Sequence, residues 1–241
     1  MLPVDFEVLA VAWAVTAVAA AVHGTIGFGV GVLSVPVLSL VDSALAPVPQ
    51  LLISLPMAAL IVLRERRALD FAGVSWVLAG RLPGALLGLL LLKLASDRAL
   101  DGAIAIMVLV AVVIVATGVT LRRTPAAALT AGVISGTTGL VASIGGPPLA
   151  LIYRQAAGAT IRSSLNTIFS IGIVINITAR TLGGEISGDD ITIGALLLPA
   201  LFLGLLVGDR LRGRVEGAPL RAGILVVSAL AALGLLVRSL V

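Results

Sequence analysis

Cysteine does not occur in the 241 residues, which removes disulfides, thiol relays, iron–sulfur clusters and thiolate metal sites from consideration. Histidine occurs once, at His23, and one imidazole cannot build a metal site alone. Charge is scarce: Asp, Glu, Lys and Arg together make 12% of the chain, against about a quarter in ordinary soluble domains. No acidic residue falls in the middle of a long apolar run, since Asp42 and Asp209 stand at run ends and the others lie in connections. A carboxylate proton relay is therefore not visible. The first 22 residues lack a basic start and carry Asp5 and Glu7 instead, so they do not read as a cleavable secretory signal.

What fills the chain is hydrocarbon. Hydrophobic residues make up 59% of it, the mean hydropathy is +1.20, and the expected environment is a bilayer. Long apolar blocks run at about 6–40, 44–63, 71–92, 102–119, 126–153, 161–180, 190–207 and 219–237, each near one bilayer crossing except the first and the fifth. Block one is too long for a single span, and block five is interrupted by glycine. A pI near 10.9 raises nucleic acid as a partner, but the basic residues sit in short inter-helix loops rather than in one stripe. Membrane orientation accounts for them better, and nothing in the sequence calls for a cofactor.

One phrase occurs twice. Gly24-Thr25-Ile26-Gly27 and Gly136-Thr137-Thr138-Gly139 lie 112 residues apart, each followed nine residues later by proline, Pro36 and Pro148. Further on, a shift of 116 places Leu82-Pro83 on Leu198-Pro199, Gly88 on Gly204 and Arg98 on Arg214. Duplication is the reading, with residues 1–119 as the first repeat and 126–241 as the second within a single membrane domain. If blocks one and five are hairpins of two short helices meeting at the glycine phrase, one side collects Arg64, Arg66, Arg67, Arg122, Arg123, Arg154, Arg162, Arg210, Arg212, Arg214 and Arg221. The other side keeps Lys93, Arg98, Arg180 and Arg238, with Asp5, Glu7, Asp42, Glu185, Asp189 and Asp190. The basic side is expected to be cytoplasmic and both termini outside. Each half then makes an odd number of crossings, which gives two repeats of inverted topology.

In hydrocarbon, helix broken by glycine and proline is tolerated only where it is buried in protein or lines a cavity. Gly24, Thr25, Gly27 and Gly29 in the first phrase, and Ser135, Gly136, Thr137, Thr138, Gly139, Ser143, Gly145 and Gly146 in the second, are accordingly candidate substrate contacts through freed backbone N–H groups and hydroxyls. Pro147 or Pro148 suits the first turn of a half-helix whose dipole end would favour an anion. Neither phrase is a phosphate loop, because no Gly-Lys-Ser/Thr follows. The alternative is that these glycines serve close helix packing alone. Arg81 stands about ten residues from either end of block three, where a charge costs a few kcal/mol and snorkelling is difficult. It is a candidate for gripping an oxyanion, or else it reaches an interface or a backbone carbonyl; its counterpart in the second repeat is Leu197.

Block six carries Arg162, Ser163, Asn166, Thr167, Ser170, Asn176 and Arg180, a polar face over half the helix that avoids lipid. Asn166 and Asn176 either line a cavity or hydrogen-bond another helix. His23 reads as a packing histidine. An intramembrane enzyme using His23 with Ser143 as nucleophile is the rival from another class, and it lacks any nucleophile-elbow phrase. A non-transporting membrane subunit is the third reading.

Three stretches together resemble the sulfite exporter TauE/SafE family: Gly24 to Pro36, Leu82-Pro83-Gly84-Ala85-Leu86-Leu87-Gly88, and Gly136 through Gly145-Gly146-Pro147. The resemblance implies a carrier of sulfur-containing anions such as sulfite, sulfoacetate or other organosulfonates in the cell (inner) membrane. The expectation is thus an all-α polytopic transporter of two inverted repeats, with broken or re-entrant helices in blocks one and five, and not an enzyme. Its partners are the small anion and membrane lipid. Export of a monoanion needs no coupling ion, since 100 mV, negative inside, contributes about 2.3 kcal/mol per charge, roughly a fifty-fold gradient.

Overall fold

The computed structural model describes residues 3–156, 158–211 and 218–240, and every regular element among them is helical. An apolar chain with no water to hydrate its backbone must satisfy each N–H and C=O within the segment, which helix does and an open strand cannot. The helices are α1 (Phe6–Ile26), α2 (Val30–Val41), α3 (Val48–Glu65), α4 (Phe71–Leu94), α5 (Asp97–Thr117), α6 (Pro125–Ala142), α7 (Gly146–Tyr153), α8 (Gly158–Gly183), α9 (Gly188–Leu211) and α10 (Ala218–Leu240). All but α2 and α7 are long and apolar enough to cross a membrane, giving eight candidate spans among the described residues. Arg212 and Arg214, counted above for sidedness, lie outside the described residues.

Blocks one and five are each divided into a long helix and a short one. The first break falls inside the expected phrase, where Gly27 and Gly29 adopt φ of 95° and 113°, a region that glycine enters without a Cβ penalty. The second does not fall where the repeat placed it. Gly136-Thr137-Thr138-Gly139 continues α6, because Thr137 and Thr138 donate their hydroxyls to the carbonyls of Val133 and Ile134 one turn back and so stay compatible with helix. The chain breaks instead at Ser143 to Gly145, just before Pro147 and Pro148, which lack the N–H needed to carry a helix through. Gly29-Val30 therefore corresponds to Gly145-Gly146, a shift of 116, the same shift that relates Leu82-Pro83 to Leu198-Pro199. Nor is α1 a short arm, since its 21 residues suffice to cross alone.

Close contacts fix the relative directions of the helices. Gly80 lies on Leu129, Gly84 on Val133 and Gly88 on Thr137 and Leu140, so α4 and α6 run parallel. Ala17 lies on Gly204 and Ala21 on Gly208, so α1 and α9 run parallel too. Gly172 meets Arg81 and Gly183 meets Leu89, which sets α8 along α4. Leu52 against Gly194, with Arg64 paired to Asp209, sets α3 along α9. The start of α5 meets the end of α10, where Arg238 reaches Asp101 at 3.7 Å. Consequently α2 stands between two helices of the same sense, α1 and α3, and α7 between α6 and α8. The chain just before α6 also touches the chain at the end of α7, with the Leu121 N–H on the Leu151 carbonyl at 2.8 Å.

Glycine sets the spacing of the two long pairs. A methyl at Gly80, Gly84 or Gly132 would overlap the carbonyl oxygens of Leu129, Val133 or Val77, and one at Gly204 or Gly208 those of Ala17 or Ala21. Small residues of this kind let membrane helices touch backbone to backbone. Large apolar side chains such as Leu86, Leu90, Val113, Leu203 and Leu230 are left exposed on the outside of the bundle, the surface that lipid covers. At the arginine-rich end three carboxylates are each bridged to arginine: Asp209 to Arg64, Asp70 to Arg123 at 2.6 Å and Glu65 to Arg162 at 2.8 Å.

Candidate functional site

The two breaks meet in the middle of the bundle. Gly31 sits against the Ser143 carbonyl so closely that a methyl there would overlap it, and the Phe28 ring packs on Gly146. Where they meet is a cavity of about 40 Å³, room for about three water molecules. Gly29, Val30 and Gly31 border it from the first break, and Ser143, Ile144, Gly145 and Gly146 from the second. His23 of α1, Ser54 and Met57 of α3, Arg81 of α4, Gly139 of α6, and Phe169 and Asn176 of α8 border it too, and the rest of the lining is apolar.

Arg81 is 2% exposed. Its Nη1 donates to the Ser135 hydroxyl at 2.8 Å, and that hydroxyl donates in turn to the Gly145 carbonyl at 2.6 Å. The Arg81 Nε–H has no partner, and among the described residues no carboxylate pairs with the guanidinium. Three glycines form the slot that holds it. A Cβ on Gly139 would stand 3.2 Å from Nη2, one on Gly145 3.3 Å from Nη1, and one on Gly172 would overlap the guanidinium itself. Gly172 has a legible signal in sequence, a glycine four residues before Asn176 on the same helix face, but it was not among the expected contacts. Replacing Gly172 by alanine is expected to push the guanidinium aside and to weaken any ligand that Arg81 holds about tenfold or more, the worth of one charged hydrogen bond. Gly223→Ala, with open space around it, is the matched control, and titration calorimetry reads the difference.

The remaining candidates divide between wall and scaffold. Gly29, Gly139, Ser143, Gly145, Gly146 and Asn176 border the cavity with Arg81, whereas Ser135 acts on it through the guanidinium. Gly24 packs on Leu205 and Gly208 of α9, and Gly136 on the backbone of Arg81. Thr25 donates to the Val22 carbonyl, Thr137 to the Gly84 carbonyl at 2.9 Å, and Thr138 to Ile134. Gly27 lies against Arg162. These six stand in helix contacts and do not border the cavity. Asn166 and Asn176, alike in sequence, differ in surroundings. The Asn166 Nδ2 donates to the carbonyls of Arg162 and Gly27, fastening the end of α1, and its Oδ1 is 3.1 Å from His23 Nε2. Asn176, by contrast, keeps both amide atoms without a partner. His23 holds Asn166 rather than Ser143.

Arg180 has a role the sequence reading missed. Instead of sitting in an outer loop it is 3% exposed, with Nε donating to the Leu140 carbonyl at 2.9 Å and Nη2 to the Val141 carbonyl at 3.1 Å. Those are among the last carbonyls of α6, which the break leaves without helical partners, and a cation there also complements the helix dipole. From one helix, then, α8 fastens both breaks: Asn166 the first, Arg180 the second. Arg180→Leu is expected to cost about 2–4 kcal/mol by leaving two buried carbonyls unpaired, read as a Tm lower by several degrees in detergent.

Eight candidate spans among the described residues, with a partly open cavity that a buried cation borders where two broken helices touch, define a polytopic membrane protein. The family described as sulfite exporter TauE/SafE matches residues 12–235, and the chain belongs to that family, one of membrane transporters. No curated protein and no solved structure gives a significant match.

Proposed function

We propose that this transporter moves a small sulfur oxyanion out of the cell by alternating access, with Arg81 as the principal contact of the anion. The observation that carries the reading is the guanidinium: buried, in the middle of a span, with an unused N–H and no carboxylate opposite it among the described residues. A buried cation in that condition is costly, and an anion entering the cavity relieves the cost. Asn176, with a free amide on the same wall, supplies a second donor. The space available suits a head group of one sulfur and three oxygens better than a bulky solute.

Alternating access rests on two halves, residues 1–119 and 126–241, as repeats of inverted topology, each with a hairpin of one long and one short helix, α1–α2 and α6–α7. The helix directions support this: α1, α3 and α9 run one way and α4, α6 and α8 the other, Glu65 at the end of α3 meeting Arg162 near the start of α8, so α1, α3 and α4 have counterparts of opposite sense in α6, α8 and α9. The excess of arginine at one end supports a cytoplasmic assignment for that end in the cell (inner) membrane, and hence both termini outside. Gly24, Thr25, Gly27, Gly136, Thr137, Thr138 and Asn166 then serve as the frame of the two hairpins, and Ser135 positions Arg81.

Thermal shift of the purified protein against sulfite, sulfate, thiosulfate, sulfoacetate and taurine tests the reading. A ligand at a hundred times its Kd raises stability by about 2.7 kcal/mol, so saturable stabilisation by at least one sulfur anion is expected. Stabilisation by none of them would refute it.

A further inference from the structure

The hydrogen bonds around His23 decide which of its ring nitrogens carries the proton. Asn166 directs its Nδ2 at two backbone carbonyls, Gly27 at 3.2 Å and Arg162 at 2.8 Å, so its orientation is not free. Its Oδ1 is left as an acceptor facing His23 Nε2 at 3.1 Å, and that contact is a hydrogen bond only if Nε2 bears the hydrogen. The neutral ring must then carry its lone pair on Nδ1. His23 is 3% exposed, borders the cavity, and its Nδ1 has no partner. The charged groups nearest this end of α1 do not claim it: Arg162 of α8 is paired to Glu65 of α3, Arg64 of α3 to Asp209 of α9, and Arg81 of α4 shares the cavity as a donor only.

Unsatisfied hydrogen-bonding capacity in the wall is therefore mixed. Donors are the Arg81 Nε–H and the Asn176 amide nitrogen; acceptors are the Asn176 amide oxygen and His23 Nδ1. A fully deprotonated oxyanion or a sulfonate offers acceptors alone and would leave His23 Nδ1 facing a lone pair. An oxyanion that retains one O–H satisfies both kinds of group at once.

We infer that the site is built for a hydrogen oxyanion, hydrogen sulfite being the sulfur case, with the anion's O–H donated to His23 Nδ1 and its other oxygens received by Arg81 and Asn176. This rests on the reading of the cavity as the anion site. It makes His23 a specificity-determining residue: the anion travels with its proton, as a monoanion, and an isosteric sulfinate, which lacks the hydroxyl, binds less well. A buried site that hydrogen-bonds a ligand hydroxyl discriminates strongly against the analogue lacking it, because its own polar group is left unpaired.

Titration calorimetry of the purified protein with sulfite and with methanesulfinate, at pH 6 and pH 8, tests this. Methanesulfinate has the charge and pyramidal shape of hydrogen sulfite with a methyl group in place of the hydroxyl. Sulfite at pH 6 is expected to bind about tenfold or more tightly than methanesulfinate, to weaken toward pH 8 as it loses its proton, and methanesulfinate to bind equally at both. His23→Leu should abolish the preference, and His23→Gln, which keeps an acceptor as well as a donor for Asn166, should retain part of it. Equal binding of the two anions by the unaltered protein, with Arg81 still required, would overturn the role of His23 and leave the anion site standing. Binding of neither anion would overturn both. The comparison in the unaltered protein decides the matter even if the leucine variant does not fold.

Discussion

Arg81→Ala is expected to raise the Kd for the transported anion about 100- to 1,000-fold and to abolish measurable flux in proteoliposomes. Hydrogen bonds to charged groups contribute about 1.5–3 kcal/mol each, and the substitution removes the donor together with the formal charge, about 3–4 kcal/mol in all. Stability without ligand should not fall in proportion. A desolvated cation with no carboxylate opposite it is itself a cost to the fold, and Ser135 keeps its bond to the Gly145 carbonyl when the guanidinium is gone. Arg81→Lys retains charge without the planar fork and is expected to recover only part of the affinity. If the alanine variant instead lost thermal stability while carrying substrate at the parental rate, Arg81 would be a structural residue only.

Gly80→Val should be the most damaging single change to the fold. Its Cβ would overlap the Leu129 carbonyl and stand 2.9 Å from the Val133 nitrogen, and both are backbone atoms of α6 that cannot rotate away. Overpacking commonly costs about 1–3 kcal/mol and more where nothing can yield, so about 3 kcal/mol or more is expected, seen as loss of monodisperse protein after extraction. Gly194→Ala, whose nearest neighbour would be Leu52 at 3.6 Å, should leave the protein unchanged. The contrast separates glycines that set helix spacing from glycines that merely occur in helices.

Long apolar runs made the spans legible, since hydrocarbon imposes helix and length together. The oddness of blocks one and five was legible as well, and the first break fell where glycine demanded it. The second did not, because glycine in a membrane helix answers two different needs. Gly136 is there for close approach to α4, and its threonine neighbours return their hydroxyls to the helix, so the phrase repeats without repeating the break. Arg81 stood out in sequence as a charge far from either end of its run. What holds it was hidden: Gly139, Gly145 and Gly172 come from three segments that meet only in space. Asn166 and Asn176 share a helix face and a chemistry, and only the level at which each meets α1 or Arg81 separates them. Arg180 was counted with the outer charges and on the polar face of its block, and sequence cannot show that the last carbonyls of α6 lie beside it.

The absence of cysteine makes the most direct test of the architecture clean, since each introduced thiol is the only one present. Asp42→Cys and Arg154→Cys follow α2 and α7, the short helices of the two proposed hairpins. With a membrane-impermeant maleimide on intact cells, Asp42→Cys is expected to label at once and Arg154→Cys only after the membrane is opened. Labelling of both from the same face would contradict hairpins that enter from opposite sides, and with them the central site.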